Sequence, residues 1–201
     1  RQGILGPEIL RKYSSELIEL FCEVDGNFPN HHPDPSEPKN LLNLIETVKI
    51  EGADLGIALD GDGDRLGVVD SEGEIIFPDR YLALMAEDTL KKNKSGKIVF
   101  DVKCSNQLDK VIRENDGVPI MTKTGHSFIK SEIARTDAVL GGEMSGHIFY
   151  NDNWYGFDDA IFASLRLIEI LSSYEISTHE VFKKIPKMFS NTEIKISFKD
   201  M

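Results

Sequence analysis

"ADLGIALDGDGDRLGVVD", residues 53–70, places Asp60, Asp62 and Asp64 at every second position with only glycine between them, and Arg65 directly after. The flanking runs ADLGIALD and RLGVVD are apolar and of strand length, so the carboxylates sit on a loop joining two strands. Two carboxylates 4 Å apart repel by about 4 kcal/mol at a protein-like screening, so this crowding asks for a cation. Side chains at every second position of an extended segment project to one side, which lets the three converge on one ion.

Outward from that loop, strands and helices alternate. Upstream, Pro7 suits the first turn of a helix running to about Tyr13, followed by an apolar strand, LIELFCEV. The loop DGNFPNHHPDPSEP has four prolines and no periodicity, which excludes regular structure. Leu41, Leu44, Ile45 and Val48 recur at helical spacing in the next segment, which Gly52 ends. Downstream, EIIF reads as a strand and Asp79 as the cap of the helix RYLALMAEDTLKKN. Strand KIVFDV, helix NQLDKVIREND, strand VPIM, helix FIKSEIAR and strands AVL and IFY follow. Asp158 or Asp159 then caps the helix AIFASLRLIEILSSY, and Ser177 with Glu180 forms a capping box on a short helix. TEIKISF closes as a strand.

This alternation predicts an α/β fold of two similar three-layer α/β/α units with mixed sheets. The basic, glycine-containing KKNKSGK marks the boundary, giving units over 1–95 and 96–190 and a linker over 191–201. A net charge of -11 argues against nucleic acid and anionic membrane as partners. Cys22 and Cys104 carry no zinc spacing, and reduced thiols point to the cytoplasm. The run starts at Arg1 and is at once in a helix, as a trimmed segment would be.

The aspartate loop fails as an EF-hand: from Asp60, the sixth position holds Arg65 rather than glycine and the twelfth Ser71 rather than glutamate. A solvated turn is one alternative. An aspartyl-phosphate nucleophile is another, although Asp64 stands where such a motif carries threonine or valine. Magnesium is preferred, because three carboxylates leave coordination places for a phosphate that Arg65 can grip.

Further constellations point to a phosphorylated sugar. In GGEMSGH, Glu143 and Ser145 share one side of an extended chain and suit vicinal hydroxyls, while His147 by itself reads as structural. Lys123 and His126 in KTGHS precede a helix, and Lys103 in DVKCS follows a strand, where α/β sheets place ligand groups. His31 and His32 are read as loop residues, because adjacent side chains point apart. Trp154 and Tyr155 are read as core or rim residues.

DLGIALDGDGDRLGVVD, DVKC, KTGHSFIK, GGEMSGH and DGNFPNHHPDP together resemble the α-D-phosphohexomutases, in their bacterial phosphomannomutase/phosphoglucomutase branch. Met144 leans the same way, since phosphoglucosamine mutases usually carry glutamine there. The resemblance implies an enzyme of four domains that moves phosphate between O1 and O6 of a hexose. It would act through a phosphoserine and a hexose 1,6-bisphosphate intermediate, which also serves as activator. Asp60, Asp62 and Asp64 would hold Mg2+ with Arg65 beside it. Glu143 and Ser145, with Lys123 and His147, would bind the hexose phosphate, and Lys103 and His126 would act at the reacting oxygen. The family's serine loop and last phosphate loop are not in the sequence, so the chain corresponds to the second domain without its first strand and the third. Without domains one and four as partners it is expected to be inactive. A magnesium phosphatase with an aspartate nucleophile and a non-catalytic sugar-phosphate-binding module stand as alternatives.

Overall fold

The computed structural model describes residues 2–185. The aspartate loop is the turn of an antiparallel hairpin. Strand β1 (Leu55–Leu59) pairs with β2 (Leu66–Asp70), from Leu55 opposite Asp70 to Leu59 opposite Leu66. Strand β3 (Ile75–Ile76) lies antiparallel on the other edge of β2. Helix α2 (Leu42–Glu51) covers one face of this sheet, packing Leu41 and Val48 on Val69. It ends at Gly52, whose φ of 64° lets its N–H reach back to the Val48 carbonyl.

The second sheet runs β5-β4-β6-β7. Strand β4 (Lys97–Asp101) is parallel to β5 (Val118–Thr122) and to β6 (Leu140–Gly142), and β7 (Ile148–Tyr150) returns antiparallel beside β6. The alternation of a strand makes three layers. Ile98 and Phe100 face α3 (Pro78–Lys92), α4 (Asn106–Glu114) and α6 (Ala160–Ser172), whereas Val99 faces Ile129 and Ile133 of α5 (His126–Thr136). Leu66, Val68 and Ile76 of the first sheet belong to the same apolar cluster as Ile98 and Phe100, so one core runs through both units. No helix among the described residues is long and apolar enough to cross a membrane.

Several expectations are corrected. Residues 17–24 form no strand, because they have no ladder partner among the described residues. A groove of about 890 Å³ is lined by them and by β1, and Phe21 and Val24 stay exposed. An apolar run becomes a strand only where an edge lies within hydrogen-bonding reach. Helix α1 (Gln2–Leu10) contains Pro7 in its interior rather than its first turn, which removes an N–H that would reach the Gly3 carbonyl. Asp79 does not cap α3. Phe77 is the extended cap residue, Pro78 opens the helix, and Asp79 instead accepts from the Ser105 N–H. Only the second sheet is mixed; the first is antiparallel throughout among the described residues. The expected strand TEIKISF and the linker over 191–201 lie outside the described residues.

Of the two aspartates offered as the cap of α6, Asp159 does the work, accepting from the Phe162 N–H at 2.9 Å. Ser177 caps α7 (Thr178–Lys183) in the same way through Glu180. Asp159→Ala is expected to cost about 1 kcal/mol, read as a lower urea midpoint at unchanged m-value. An unchanged midpoint would mean that the cap adds nothing to α6.

Candidate functional site

Each aspartate of the 60–65 loop has a different environment. Asp60 is buried, and its Oδ1 accepts from the backbone N–H groups of Gly63 (2.9 Å), Asp64 (3.0 Å) and Arg65 (3.2 Å). Its Oδ2 accepts from Arg65 Nε at 2.7 Å. Burial opposes its ionisation, but the Arg65 and backbone contacts outweigh that and hold the carboxyl below its ordinary range. Asp62 is exposed at the tip. Asp64 is half-buried, and burial, reinforced by Asp60 and Asp62, pushes its pKa up to about 6. One carboxylate oxygen from each of the three lies within 4.8 Å of the others.

Arg65 is held from two sides, because its Nη1 donates to Asp34 at 2.9 Å while its Nε binds Asp60. Asp34 comes from the proline- and histidine-rich loop, which explains what that irregular segment does in the fold. His31 and His32 of the same loop pack edge-on against Phe21 and Phe28 and join none of the metal-competent clusters among the described residues.

The GGEMSGH turn between β6 and β7 meets the aspartate loop directly. The Leu66 N–H donates to the Gly146 carbonyl at 3.0 Å, and Arg65 and His147 form an isolated β-bridge. Helix α6 closes the contact from below, with the Ala160 N–H on the Gly63 carbonyl at 3.0 Å. His147 sits at the junction, its Nδ1 3.2 Å from Glu143 Oε2 and 2.8 Å from Ser145 Oγ, its Nε2 3.4 Å from Asp64 Oδ2. Burial alone would lower its pKa, but Glu143 and Asp64 overcome burial and raise it. Glu143 is itself buried and accepts from the Gly125 N–H at the start of α5. His126, the first residue of α5, stacks on His147 with ring centroids 5.5 Å apart.

Strands β4, β5 and β6 are parallel, so the loops carrying Lys103, Lys123 and Glu143 leave the sheet at one edge. Lys103 and Lys123 are exposed there, and the Lys123 ammonium lies over the Phe128 ring. Asp101, fully buried at the end of β4, gathers these loops: it accepts from Thr124 Oγ1, the Met144 N–H and the Cys104 thiol. Asp34 and Asp101 were not singled out by sequence, and Asp158 only as a candidate helix cap. A carboxylate ending the apolar run KIVF was the one available signal, since so buried an acid needs donors. Trp154 stacks on Phe162 at 4.2 Å as part of the core, while Tyr155 is exposed.

Protonation of the site should govern stability. Asp64 is raised above its unfolded value, so the folded protein holds the extra proton and loses stability as pH rises from about 4 to about 6. His147, also raised, contributes stability below its unfolded pKa of about 6.5, and that is lost as pH rises through its folded value. Without divalent metal, thermal stability is therefore expected to fall from pH 5 to pH 8, and Asp64→Asn to flatten the lower part of that slope. A wild-type stability that rises across this range would contradict the assignment.

Residues 2–73 match the family described as phosphoglucomutase/phosphomannomutase, alpha/beta/alpha domain II, and residues 77–189 match its alpha/beta/alpha domain III. The chain is 51% identical to a phosphomannomutase/phosphoglucomutase of Pseudomonas putida over 98% of this chain and 43% of that protein. It is 50% identical to a phosphoglucomutase of Neisseria gonorrhoeae over 97% of this chain and 42% of the other. A crystal structure of a phosphoglucomutase/phosphomannomutase family protein from Burkholderia thailandensis superposes with a TM-score of 0.92 at 46% identity, covering 95% of this chain and 42% of that one. The chain thus spans less than half the length of these relatives.

Proposed function

The chain belongs to the phosphoglucomutase/phosphomannomutase family, with that family's domains II and III, and from this premise we propose that it supplies the metal and sugar loops of a phosphohexomutase. The reaction moves a phosphoryl group between O1 and O6 of mannose or glucose by way of a phosphoserine and a hexose 1,6-bisphosphate. The observation that carries this reading is the contact between the two loops: Asp64, one of three clustered carboxylates, meets His147, and Arg65 pairs with His147 in a β-bridge.

The residues fit Mg2+, since the donors are hard carboxylate oxygens within 4.8 Å of one another. The raised pKa of Asp64 reports, after burial, the carboxylate repulsion that a cation relieves. Bound there, Mg2+ would neutralise charge developing on the transferred phosphoryl group. Asp60 and Asp34 hold the Arg65 guanidinium by Nε and Nη1 and leave Nη2 for a phosphate oxygen. Glu143 and Ser145 keep further acceptor capacity for sugar hydroxyls, and Glu143 keeps a proton on His147 beside the metal loop. Lys103, Lys123 and His126 flank the same sheet edge, where the sugar phosphate would sit. The phosphoserine this reaction needs would come from a domain other than II and III, so these residues by themselves are expected to bind without turnover. The free thiols of Cys22 and Cys104 suit the cytoplasm.

Asp60 is a poor phosphatase nucleophile, because Oδ1 already accepts from three backbone N–H groups and Oδ2 from Arg65, so a phosphatase would have to attack through Asp62. Titration of the chain with Mg2+ and then glucose 1-phosphate or mannose 1-phosphate, followed by backbone amide shifts, tests the reading. Mg2+ should move residues 60–65 in the wild type and not in Asp62→Ala, and the sugar phosphate should then move residues 143–147. Sugar phosphate acting no differently from inorganic phosphate would overturn a sugar site, and release of phosphate would favour the phosphatase.

A further inference from the structure

Asp158 lies outside every motif that marks the site, yet its carboxylate sits beneath it. The side chain is 9% exposed, and Oδ1 accepts from Lys130 Nζ at 3.1 Å. Oδ2 lies 3.3 Å from His126 Nδ1, short of a formed hydrogen bond, and is a buried oxygen with no hydrogen-bond partner among the described residues. Such an oxygen is costly to leave unmatched. His126 and Lys130 are four residues apart on α5, so both reach Asp158 from the same helix face.

We propose that Asp158 is a positioning residue that sets the ring of His126: Nδ1–H donates to Oδ2, which leaves Nε2 as a hydrogen-bond acceptor. The inference rests on the reading that a hexose phosphate sits against His126. In a neutral imidazole the hydrogen bond at one nitrogen decides which nitrogen carries the proton. A buried carboxylate at Nδ1 therefore leaves Nε2 the acceptor nitrogen, able to accept a hydrogen bond from a sugar hydroxyl. Asp158 is the carboxylate in ion-pair reach of Nδ1, while the ring stacks on His147 and lies close enough to Glu143 to act on its charge. Asp64 and His147 also lie within ligand-set distance of Asp158. The Lys130 ammonium on Oδ1 repels a second cation there and assigns this carboxylate to the histidine rather than to a metal.

Long-range proton–nitrogen correlation spectra of the chain, recorded where imidazoles are neutral, read the tautomer directly. The wild type is expected to show His126 as Nδ1–H, Asp158→Ala to lose that tautomer, and Asp158→Asn, which keeps one acceptor, to retain it in part. A wild-type ring protonated at Nε2 overturns the proposal even if the alanine variant fails to fold. So does an unchanged tautomer in a folded Asp158→Ala chain. Glucose 1-phosphate that perturbs neither His126 nor residues 60–65 overturns the role together with the functional reading. Glucose 1-phosphate that perturbs residues 60–65 while His126 stays Nε2–H overturns the part of Asp158 alone.

Discussion

Asp60→Ala is expected to lower the stability of the chain by about 3 kcal/mol, whereas Asp62→Ala, two residues on, stays within about 0.5 kcal/mol of the wild type. Sequence treats the two as equivalent members of one triplet. Asp60, however, accepts from three backbone N–H groups and from Arg65, so its removal leaves that many donors unmatched in a partly buried turn. Asp62 is exposed at the tip of the loop, where the interactions of a charged side chain are screened by solvent, so its loss costs little. Both variants should lose the stabilisation that added Mg2+ confers on the wild type, because a ligand that binds only the folded state stabilises by mass action. Urea unfolding with and without Mg2+ separates the two effects. Equal stabilities for the variants would show that Asp60 does not organise the loop.

Gly146→Ala is expected to cost about 3 kcal/mol and to separate the aspartate loop from the GGEMSGH turn. The residue has a φ of 100°, and a Cβ there would stand 2.7 Å from the Leu66 carbonyl oxygen. The oxygen it meets is backbone and a Cβ is fixed to its own, so no side chain can swing away, and the Leu66 N–H to Gly146 carbonyl bond would be forced open. Gly26→Ala is the matched control. It meets nothing within 4 Å and is expected to be neutral or to stabilise by about 0.5 kcal/mol. Thermal unfolding of both variants, with the His147 ring shifts as a local probe, tests the difference. A Gly146→Ala chain as stable as the Gly26→Ala chain would mean that the two loops do not depend on this close approach.

Much of the fold was legible because apolar periodicity reports local geometry. The hairpin around the aspartates, the parallel strands KIVFD and VPIMT and the helices between them follow from alternation and helical spacing. The failures share one cause, which is dependence on a partner. LIELFCEV has the pattern of a strand but forms no ladder with any strand among the described residues. Asp79 has the chemistry of a cap, but Pro78 starts the helix one residue earlier and frees its carboxylate for Ser105. Between Asp158 and Asp159 the sequence is indifferent, and the structure gives the cap to Asp159 and the histidine to Asp158.

The site divides in the same way. Asp60, Asp62, Asp64 and Arg65 stand together in the chain, and their proximity is a property of the sequence alone, since glycines and extended spacing bring the charges to one side. That Asp60 braces the turn while Asp64 carries a raised pKa is decided by tertiary structure. A carboxylate's behaviour depends on how deeply it is buried and which donors are buried with it, and those donors are the turn's backbone N–H groups, Arg65, which Asp34 braces, and His147. His147 shows the same division most plainly. In sequence it is a lone histidine after a glycine; in the folded chain Glu143, Ser145 and Asp64 surround it and hold its proton, because the fold buries acids and imidazole together.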